Sequence, residues 1–520
     1  MYDLIIKNGN IIDGTASPSY RSDIAVSGGK ILKISENIND EAKEIIDASG
    51  LTVTPGFIDS HSHSDNAIFE FPDMIEKIEQ GITTSVGGQC GGTLAPISRD
   101  INDKNATLIE GFGKSNEVLK TFGTMVDAIK DVPFGSNLIS FVGHRALRSA
   151  VLGDENKKPT VEEMQKMKTL LAEAMENGAL GVSFGLNYPP SCYADTDELI
   201  ELSKTAKEHN GLISAHIRDE GVRLYKAVDE FLRVVKAAKV KAVLSHHKSM
   251  YIENWGKVHH TLRMIQEAND EGYDVYCDCY PYSASHTGIL PTIVAQEVRN
   301  MYPGRMVDSL SDPELRKKIK ELYVKNNDES LGNLMITRCP KHPEYEGRRM
   351  DEIAKLRGQD EFEAAFDIII ECRANASLCN FCMCEEDIET VLKYPRTMIG
   401  TDSTVAKDNK VYHPRLRGTF PRFLGRYVRG KKIVSLEEAI RKCTAMPAAV
   451  YGLREKGLLK EGFDADICVF DAEKIIDKAE FTNCSQRCEG LNYVILGGEI
   501  VVENAIYNGK KKGSFIKKAR

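Results

Sequence analysis

Two histidines stand one residue apart in the segment GFIDSHSHSD, which begins at Gly56. His61 and His63 end an apolar run that has the pattern of a buried strand. Since alternate residues of a strand face the same side, both imidazoles would point toward one place, where they could bind a single metal ion. A histidine at a strand end is more often a hydrogen-bonded structural residue, so the pair needs further ligands from elsewhere in the chain.

Further candidate ligands follow other apolar runs, again where a predicted strand ends. They are Cys90, His216, His246, His247 and Asp402. Imidazole nitrogen, thiolate and carboxylate are the ligand atoms that zinc prefers. Taken singly, each has a structural alternative, because a buried cysteine packs in cores and the aspartate of GTDST is typical of a turn or a helix N-cap. Their occurrence together at strand ends favours one metal site.

A zinc ion at such a site predicts hydrolytic chemistry. Zinc lowers the pKa of a bound water molecule to about 7 and polarises carbonyl oxygens. Asp402 is the candidate general base, which would take a proton from the water and pass it to a leaving amine. The sequence therefore predicts metal-assisted hydrolysis of an amide-like bond.

Eight predicted strands, most of them separated by segments long enough for a helix, would position these residues. They are the runs GFIDSH, ITTSVGGQC, NLISFVG, ALGVSFG, GLISAH, KAVLSH, YDVYCDC and RTMIGTD. One intervening helix begins with a capping box formed by Thr160 and Glu163. Eight strand–helix units in order predict an α/β fold, a (β/α)8 TIM-like barrel with its chemistry at the carboxyl ends of the strands. The gap between strands seven and eight exceeds one helix, and about 295–385 is predicted to be an insertion there.

Both ends of the chain contain short apolar runs separated by Asn-Gly, Asp-Gly and Gly-Gly pairs. This sequence pattern is typical of β-hairpins. We therefore predict one small β-sandwich domain formed by residues 1–55 and 453–520, beside a barrel domain over 56–452. The basic end, NGKKKGSFIKKAR, is interpreted as a solvated tail.

Composition excludes several classes of protein. The chain of 520 residues is 42% hydrophobic and 28% charged, with a formal net charge of −8, which is ordinary for a globular protein. No basic excess exists to neutralise phosphates, so nucleic acid is not an expected partner. We find no signal-peptide pattern and no apolar run long enough to span a membrane, and expect a cytoplasmic protein. The 13 cysteines should then be mostly free thiols, with at most one or two as ligands.

The motifs resemble the N-acyl-D-amino-acid deacylases (D-aminoacylases) of the amidohydrolase superfamily. The similar segments are TPGFIDSHSHSD, GITTSVGGQCGGTLAP, GVSFGLNYPPSCYADTDELI, LISAHIRDEG, VLSHHKSM, CYPYSASHTGIL, MIGTDS, HPRLRGTFPRFLG and EGFDADICVFD. The resemblance extends over nearly the whole chain apart from the insertion and the tail. The Cys90 loop, LNYPP and SHHK are specific to the deacylase branch.

This resemblance implies a zinc-dependent hydrolase that cleaves N-acyl-D-amino acids to a carboxylate and a D-amino acid. The tightly bound zinc would be held by Cys90, His216 and His246. His61 and His63 would contribute to a second, weaker metal position. Asp402 would be the catalytic base beside the metals.

The resemblance also implies residues that bind the substrate, a small N-acyl amino acid. Lys248 and Arg415 match residues that hold the substrate carboxylate, which an arginine can bind bidentately. Tyr188 and Tyr280 match residues that line the substrate site, and Tyr280 would polarise the amide carbonyl. Taken without the resemblance, the tyrosines are better explained by core packing and Arg415 by a solvated loop.

Two features depart from the family pattern or fall outside it. His286 stands where the family usually has a small hydroxyl residue, which changes the pocket shape that we expect. The cysteines of CNFCMC resemble a metal or redox motif, but no second CxxC pair lies nearby. We interpret Cys379, Cys382 and Cys384 as packing residues.

Other functions are weighed against the deacylase hypothesis. Hydantoinases and dihydroorotases, the cyclic-amide branch, carry a carboxylated lysine on the fourth strand, whereas GVSFGLN has none. A hydrolase of the same fold acting on a dipeptide or cyclic ureide is the second hypothesis, and a non-catalytic binding protein is the third. The sequence leaves open the side-chain and acyl preferences, the number of metals needed for turnover and the oligomeric state.

Overall fold

The structure is a computed structural model that describes residues 1–97, 119–405 and 410–518. Its strands are β1 (Tyr2–Ile11), β2 (Tyr20–Ser27), β3 (Lys30–Ser35), β4 (Ala42–Asp47), β5 (Thr52–Pro55), β6 (Phe57–Asp59), β7 (Ile82–Gly87), β8 (Asn137–Ser140), β9 (Val142–Gly143), β10 (Gly181–Gly185), β11 (Leu212–His216), β12 (Lys241–Leu244), β13 (Val275–Cys279), β14 (Ser285–Gly288), β15 (Leu334–Arg338), β16 (Ser377–Asn380), β17 (Thr397–Ile399), β18 (Ile467–Phe470), β19 (Leu491–Leu496), β20 (Glu499–Glu503) and β21 (Ile506–Tyr507).

Helices separate most of the parallel strands. They are α1 (Ile75–Ile78), α2 (Phe122–Ile129), α3 (His144–Leu152), α4 (Val161–Glu176), α5 (Thr196–Glu208), α6 (Leu224–Ala238), α7 (Lys257–Asp270), α8 (Ile289–Ile293), α9 (Gln296–Met301), α10 (Met306–Ser309), α11 (Pro313–Asn326), α12 (Met350–Arg357), α13 (Glu361–Glu371), α14 (Glu385–Lys393), α15 (Arg415–Arg422), α16 (Leu436–Cys443) and α17 (Ala445–Tyr451). A π-helical segment, Phe423–Gly430, continues α15. Within the described ranges, no helix has the length and apolar character needed to cross a bilayer.

The α4 helix shows how local sequence fixes such an element. Thr160 and Glu163 form the predicted capping box at its start, because each side chain accepts a hydrogen bond from the other's backbone N–H. Met167 and Leu171 are fully buried on the face that packs into the core. The helix ends at Glu176, immediately before the Asn-Gly pair that the sequence offers as a stop signal.

Both ends of the chain form one nine-stranded sheet, in the order β21-β20-β19-β18-β5-β1-β2-β3, with β4 also paired to β1. Antiparallel pairing of β5 with β18 joins the two termini, with Val53 opposite Val469. The Gly28-Gly29 pair makes the predicted hairpin between β2 and β3, with positive φ at both glycines. Asn8-Gly9 does not turn the chain; it forms a bulge within β1, where the register against β2 shifts.

The middle of the chain supplies the parallel strands, and all eight predicted runs contain one. They form two sheets, ordered β17-β13-β12-β11-β10-β9 and β6-β7-β8. The sheets adjoin at both edges, since only Phe141 separates β8 from β9 and the backbone N–H of Ser60 donates to the carbonyl of Ile399 (3.1 Å). All the carboxyl ends of these strands therefore lie on one side of the assembly.

A separate substructure lies between β13 and β17. It contains an antiparallel sheet, β14-β16-β15, together with α8–α13. Its apolar core is distinct from that of the parallel strands and includes Ile289, Ile336, Phe366 and Leu378. The sheet begins at Ser285, about ten residues before the predicted insertion, because only a short loop separates the end of β13 from the start of β14.

The basic C-terminal segment is not solvated as expected from its charge. Gly513 and Phe134 exchange backbone hydrogen bonds, Ile516 donates to the carbonyl of Leu138, and Lys518 donates to that of Gly178. Apolar side chains between the lysines, including Phe515, pack against the main core, so the segment behaves as an added extended strand. Residues 519 and 520 lie outside the described ranges.

Candidate metal centre

The candidate ligands lie at the carboxyl ends of parallel strands or in the short loops just beyond them. His216 is the last residue of β11, and His246 lies two residues beyond β12. Cys90 follows β7 by three residues, and Asp402 follows β17 by three. The strands therefore bring residues from four distant parts of the sequence to one end of the sheet.

The Cys90 sulfur lies at the centre of three imidazoles. Its Sγ atom is 3.4 Å from His61 Nε2, 3.4 Å from His246 Nε2 and 3.8 Å from His216 Nδ1. His216 Nδ1 and His246 Nε2 are 2.9 Å apart. Four potential ligand atoms are thus directed at one small volume.

Asp402 lies beside this group and contacts the His-x-His pair. Its Oδ1 atom is 3.1 Å from His63 Nε2 and 3.6 Å from His61 Nε2. Arg415 donates a hydrogen bond from Nη1 to the other carboxylate oxygen (2.7 Å). Burial favours the neutral acid, but Arg415 and the imidazole of His246 hold the pKa of Asp402 well below its ordinary range. The residue is therefore an ionised carboxylate.

His61 and His63 reach the site by a different route from the one that strand periodicity predicts. The β6 strand ends at Asp59, so neither histidine is in a strand. The following loop is held against the loop after β17, because Asp402 N donates to His61 O (2.8 Å) and His63 N donates to Ser403 O (3.0 Å). Loop pairing, rather than alternation along a strand, directs the two imidazoles toward Asp402.

Three of the converging residues have an unusual backbone conformation. The φ angles are 51° at Cys90, 34° at His246 and 48° at Asp402. Residues other than glycine seldom adopt positive φ, and such strained positions cluster at functional sites. Space near Cys90 is also restricted, since a Cβ atom on Gly185 would lie 2.0 Å from the Cys90 carbonyl oxygen. The surrounding fold thus imposes the direction of these side chains.

The electrostatic environment suits a thiolate. Burial raises the pKa of the Cys90 thiol, but the imidazoles of His61 and His246 outweigh that effect and hold it well below its ordinary value. Burial also disfavours charge on His61, but the carboxylate of Asp278 and the Cys90 sulfur raise the pKa of that imidazole well above its ordinary value. The charged and polar groups of the site therefore stabilise one another.

Two carboxylates in the site were not singled out from the sequence. Glu220 Oε1 lies 2.6 Å from Lys248 Nζ and 3.0 Å from His246 Nδ1. Asp278 Oδ2 lies 3.2 Å from His61 Nδ1, while its other oxygen accepts from the backbone of His246 (2.6 Å). Both lie where the predicted ligands lie, near the carboxyl end of a parallel strand. Asp278 is the penultimate residue of β13, and Glu220 lies four residues after β11.

The predicted substrate residues surround the same group. Tyr280 is buried, and its hydroxyl has no hydrogen-bond partner among the described residues. Its ring lies 4.7 Å from the Arg415 guanidinium carbon and 5.7 Å from Lys248 Nζ. On the other side, the ring of Tyr188 lies 5.0 Å from that of His216. All four line one cavity of about 510 Å³ with the candidate ligands.

Two other histidines differ in their relation to the cavity. His247 points away from it and contacts Thr261 Oγ1 (2.8 Å), and burial together with Lys248 lowers the pKa of His247 to about 3. His286 does line the cavity, with its ring 4.4 Å from that of Tyr412 and its Nε2 atom 2.9 Å from Thr337 Oγ1. Burial and Arg415 lower the pKa of His286 to about 3, so it is a neutral, fixed part of the wall.

None of the three cysteines of CNFCMC lines the cavity, although Cys382 packs in a buried cluster with Tyr280. Cys379 and Cys382 are buried, and burial raises the pKa of Cys382 to about 12 and that of Cys384 to about 11. All 13 cysteines of the chain are free thiols. Within the described ranges, none of these three belongs to a cluster of potential metal ligands.

The donor set fits a metal ion. Two overlapping groups have ligand atoms that all lie within 4.8 Å of one another: His61, Cys90, His246 and Asp402, and His216, Glu220 and His246. Nitrogen, sulfur and carboxylate oxygen in such a compact group match the preferences of zinc. Asp278 and Glu220 bond the outer nitrogens of His61 and His246, as carboxylates commonly do for metal-binding histidines.

Comparisons with known proteins agree with this arrangement. The model of the amidohydrolase family matches residues 52–501. The chain is 35% identical to the D-aminoacylase of Alcaligenes xylosoxydans xylosoxydans over 98% of its own length and 97% of that protein. It is 34% identical to the N-acyl-D-aspartate deacylase of the same organism, over 98% and 93%.

A solved structure is equally similar. The crystal structure of N-acyl-D-glutamate deacylase from Bordetella bronchiseptica, complexed with zinc and a phosphonate inhibitor that mimics the tetrahedral intermediate, has a TM-score of 0.84. The two proteins are 33% identical, and the match covers 100% of both chains. The metal-bound state of that neighbour is consistent with the donor set described above.

Proposed function

This chain belongs to the amidohydrolase family, and on that premise we propose that it hydrolyses N-acyl-D-amino acids to a carboxylate and a D-amino acid. The observation that carries the proposal is the Cys90 sulfur among three imidazoles, with the ionised carboxylate of Asp402 beside them. The D configuration is supported by the full-length similarity to a D-aminoacylase and an N-acyl-D-aspartate deacylase.

We propose zinc as the metal, held most tightly by Cys90, His216 and His246. His61 and His63 would contribute to a second, weaker position on the side of Asp402. When bound, zinc would supply Lewis acidity, which activates water and polarises an amide carbonyl. The thiolate character of Cys90 and the carboxylates behind the histidines support this assignment.

Asp402 would act as the general base. Its carboxylate would accept a proton from the attacking water and then deliver it to the leaving amine nitrogen, so that carboxylate and amine products are formed. The hydrogen bond from Arg415 fixes the orientation of the carboxylate, and His63 contacts its other oxygen. These contacts favour a base that is ionised and immobile before the substrate binds.

Lys248 and Arg415 would bind the carboxylate of the amino acid. Each already has an acidic partner, but each has spare donors, since Arg415 Nε has no acceptor among the described residues. Lys248 Nζ donates to Glu220, and because His246 Nδ1 is bonded to the same carboxylate, the ammonium keeps hydrogens to donate to a substrate. The ring of Tyr280 lies near both cations, and its unpartnered hydroxyl would donate a hydrogen bond to the oxygen of the scissile carbonyl.

Tyr188 would form the opposite wall of the substrate site. Its ring packs beside His216 and lines the cavity, while burial and the charge of Cys90 raise the pKa of its hydroxyl. The hydroxyl would therefore remain protonated and serve as a donor. His286 would narrow the cavity on the side of Arg415, whose Nη2 atom donates to the His286 carbonyl oxygen (3.3 Å).

We infer the domain organisation from the same contacts. The two parallel sheets would close into a (β/α)8 barrel over about 56–452, a view supported by the hydrogen bond from Ser60 to Ile399 and by the continuity of β8 and β9. The nine-stranded sheet would form the small β-sandwich domain from residues 1–55 and from 453 to the end of β21, and the basic C-terminal segment beyond it pairs with the barrel region at Phe134 and Leu138. The substructure between β13 and β17 would be the insertion, and its β14 strand carries His286 to the cavity.

A hydrolase of cyclic amides is the alternative. The fourth parallel strand, β10, reads GVSFG and offers no lysine to bridge two metals, while Cys90 supplies a negative ligand close by. This observation favours the linear amide. An assay of hydantoin and dihydroorotate alongside the acyl amino acids separates the two reaction classes directly.

The decisive experiment is a matched panel of N-acetyl-D- and N-acetyl-L-amino acids assayed on protein loaded with zinc. We expect release of the free D-amino acid, loss of activity on chelation and recovery on adding zinc. Turnover confined to the L series or to cyclic ureides would contradict the proposal. A protein that binds zinc but hydrolyses none of these compounds would support a non-catalytic role instead.

A further inference from the structure

Among the described residues, one cation that lines the cavity, Arg145, has no ion-pair partner. Arg145 lies in the first turn of α3 and lines the cavity together with the candidate ligands. In the part of the chain that the structure describes, its guanidinium has neither a hydrogen-bond acceptor nor an ion-pair partner. It is half-buried, so the position combines access from the cavity with partial shielding from water.

The other long cationic side chains of the cavity all have acceptors. The pairs are Lys248 with Glu220, Arg415 with Asp402, Arg218 with Glu230, Arg223 with Asp219 and Arg299 with Asn187. A buried or half-buried guanidinium without a partner is unfavourable unless it binds an anion during function. Unlike the neighbouring cations, Arg145 therefore has a guanidinium that is available to bind an anionic ligand.

The position of Arg145 is close to the metal centre. Its backbone N–H donates to the carbonyl of Gly91 (3.0 Å), and its Nη2 atom lies 3.1 Å from the place where a Cβ on Gly92 would stand. The guanidinium is thus packed against the loop that carries Cys90. A group bound by Arg145 would be adjacent to the scissile amide, not in a remote part of the cavity.

Arg145 is also on the opposite side of the centre from the cations that would bind the amino-acid carboxylate. Arg145 follows β9, an edge strand of the six-stranded parallel sheet. Lys248 follows β12 and Tyr280 follows β13, which lie toward the opposite edge of that sheet. His216, at the end of β11, lies between them in the strand order. A substrate anchored at Lys248 would therefore extend across the centre toward Arg145.

We propose that Arg145 determines specificity by binding a second carboxylate of the substrate, so that the preferred substrates are dianionic N-acyl-D-amino acids. This inference rests on the proposed function and adds a substrate class to it. A guanidinium matches a carboxylate in shape and can donate two parallel hydrogen bonds. The location across the centre from Lys248 favours a carboxylate at the end of the acyl group over one on the amino-acid side chain.

Two matched pairs of substrates distinguish the sources of this carboxylate. The acyl pair is N-succinyl-D-alanine and its neutral monoamide, and the side-chain pair is N-acetyl-D-glutamate and N-acetyl-D-glutamine. N-acetyl-D-alanine is the reference that lacks a second polar group. In the unmodified enzyme we expect the acid of at least one pair to exceed its amide in kcat/KM, with the larger preference in the acyl pair.

Arg145→Met tests the residue itself, because methionine retains length but lacks charge and donors. We expect kcat/KM for the preferred acid to fall by about 10- to 100-fold, mainly through KM, as for loss of charged hydrogen bonds. The amides and N-acetyl-D-alanine should change by less than about threefold, and Arg145→Lys should restore part of the preference. Arg223→Met is the control, since that arginine lines the same cavity but is paired with Asp219.

The outcomes separate this inference from the function on which it rests. An equal loss for acids and amides in Arg145→Met, or no acid preference in the unmodified enzyme, would overturn the role of Arg145 while leaving the deacylase assignment intact. Absence of turnover on every N-acyl-D-amino acid, the reference included, would instead overturn the proposed function. A preference limited to the glutamate pair would keep Arg145 as the carboxylate-binding residue and assign the carboxylate to the side chain.

Discussion

The Sγ atom of Cys90 lies 3.4 Å from Nε2 of His246, although 156 positions of sequence separate the two residues. Both have positive φ angles, so the backbone of each loop is held in a conformation that its residue type disfavours. Packing of β7 and β12 into the parallel sheets maintains the contact. The reactivity of the centre should therefore be sensitive to changes in the loops as well as in the ligands.

Asp402→Asn should reduce kcat on N-acetyl-D-amino acids by about 100- to 10,000-fold, because the amide cannot accept the proton from water. KM should change less, since Lys248 and Arg415 remain. Steady-state kinetics at matched zinc content measure the effect. Asp219→Asn, at another cavity-lining aspartate, is the control, and full activity of Asp402→Asn would exclude the proposed base.

His216→Ala should lose zinc more completely than His61→Ala. His216 belongs to the proposed tight position, whereas His61 lies toward Asp402, and loss of a direct ligand should weaken affinity by roughly tenfold or more. Zinc is measured after dialysis of both variants against the same chelator. His259→Ala, on the exposed face of α7, should retain the full content. Equal loss from the two ligand variants would contradict this ranking.

Gly185→Ala should disturb the centre without removing any ligand. The new Cβ would lie 2.0 Å from the carbonyl oxygen of Cys90, so the Cys90 loop has to move. We expect reduced zinc content, reduced activity and a loss of about 1–3 kcal/mol in the free energy of unfolding. Gly332→Ala is the matched control, because its Cβ would come no nearer than 3.3 Å to the Ser330 hydroxyl and 3.7 Å to the Asp351 side chain. A wild-type zinc content in Gly185→Ala would show that the loop tolerates the shift.

Lys77→Met should be strongly destabilising although the residue contacts no substrate. The Lys77 ammonium is fully buried and bonds Asp59 Oδ2 (3.0 Å), Thr401 Oγ1 (2.6 Å) and Ser403 O (2.9 Å), joining the loops after β6 and β17. Its loss leaves a buried carboxylate without its cation, at a cost of about 3–5 kcal/mol in the free energy of unfolding. Denaturant unfolding provides the measurement.

The double variant Lys77→Met/Asp59→Asn supplies the internal check on that prediction. If the cost comes from the unpaired Asp59 carboxylate, the second change should recover part of the lost stability, giving a favourable coupling between the two positions. Strictly additive effects of the two substitutions would assign the cost to packing instead.

The order of the elements and the residues available for chemistry could be predicted without the structure. Apolar runs gave the parallel strands, because burial on both faces requires them, and capping residues such as Thr160 fixed helix boundaries locally. The ends of those runs identified Cys90, His216, His246 and Asp402, since a residue that follows a buried parallel strand must emerge at one edge of the sheet. Residue types alone then indicated zinc and hydrolysis.

How these groups face one another depends on long-range packing. His61 and His63 reach Asp402 through the pairing of two loops, not through strand alternation, and His247 turns toward Thr261 while its neighbour His246 faces the centre. The roles of Glu220 and Asp278 follow from contacts with His246 and His61, which are distant in sequence, and that of Arg145 follows from its place in the cavity wall. The physical reason is that contact geometry and burial depend on long-range packing, which the periodicity of a single segment does not encode.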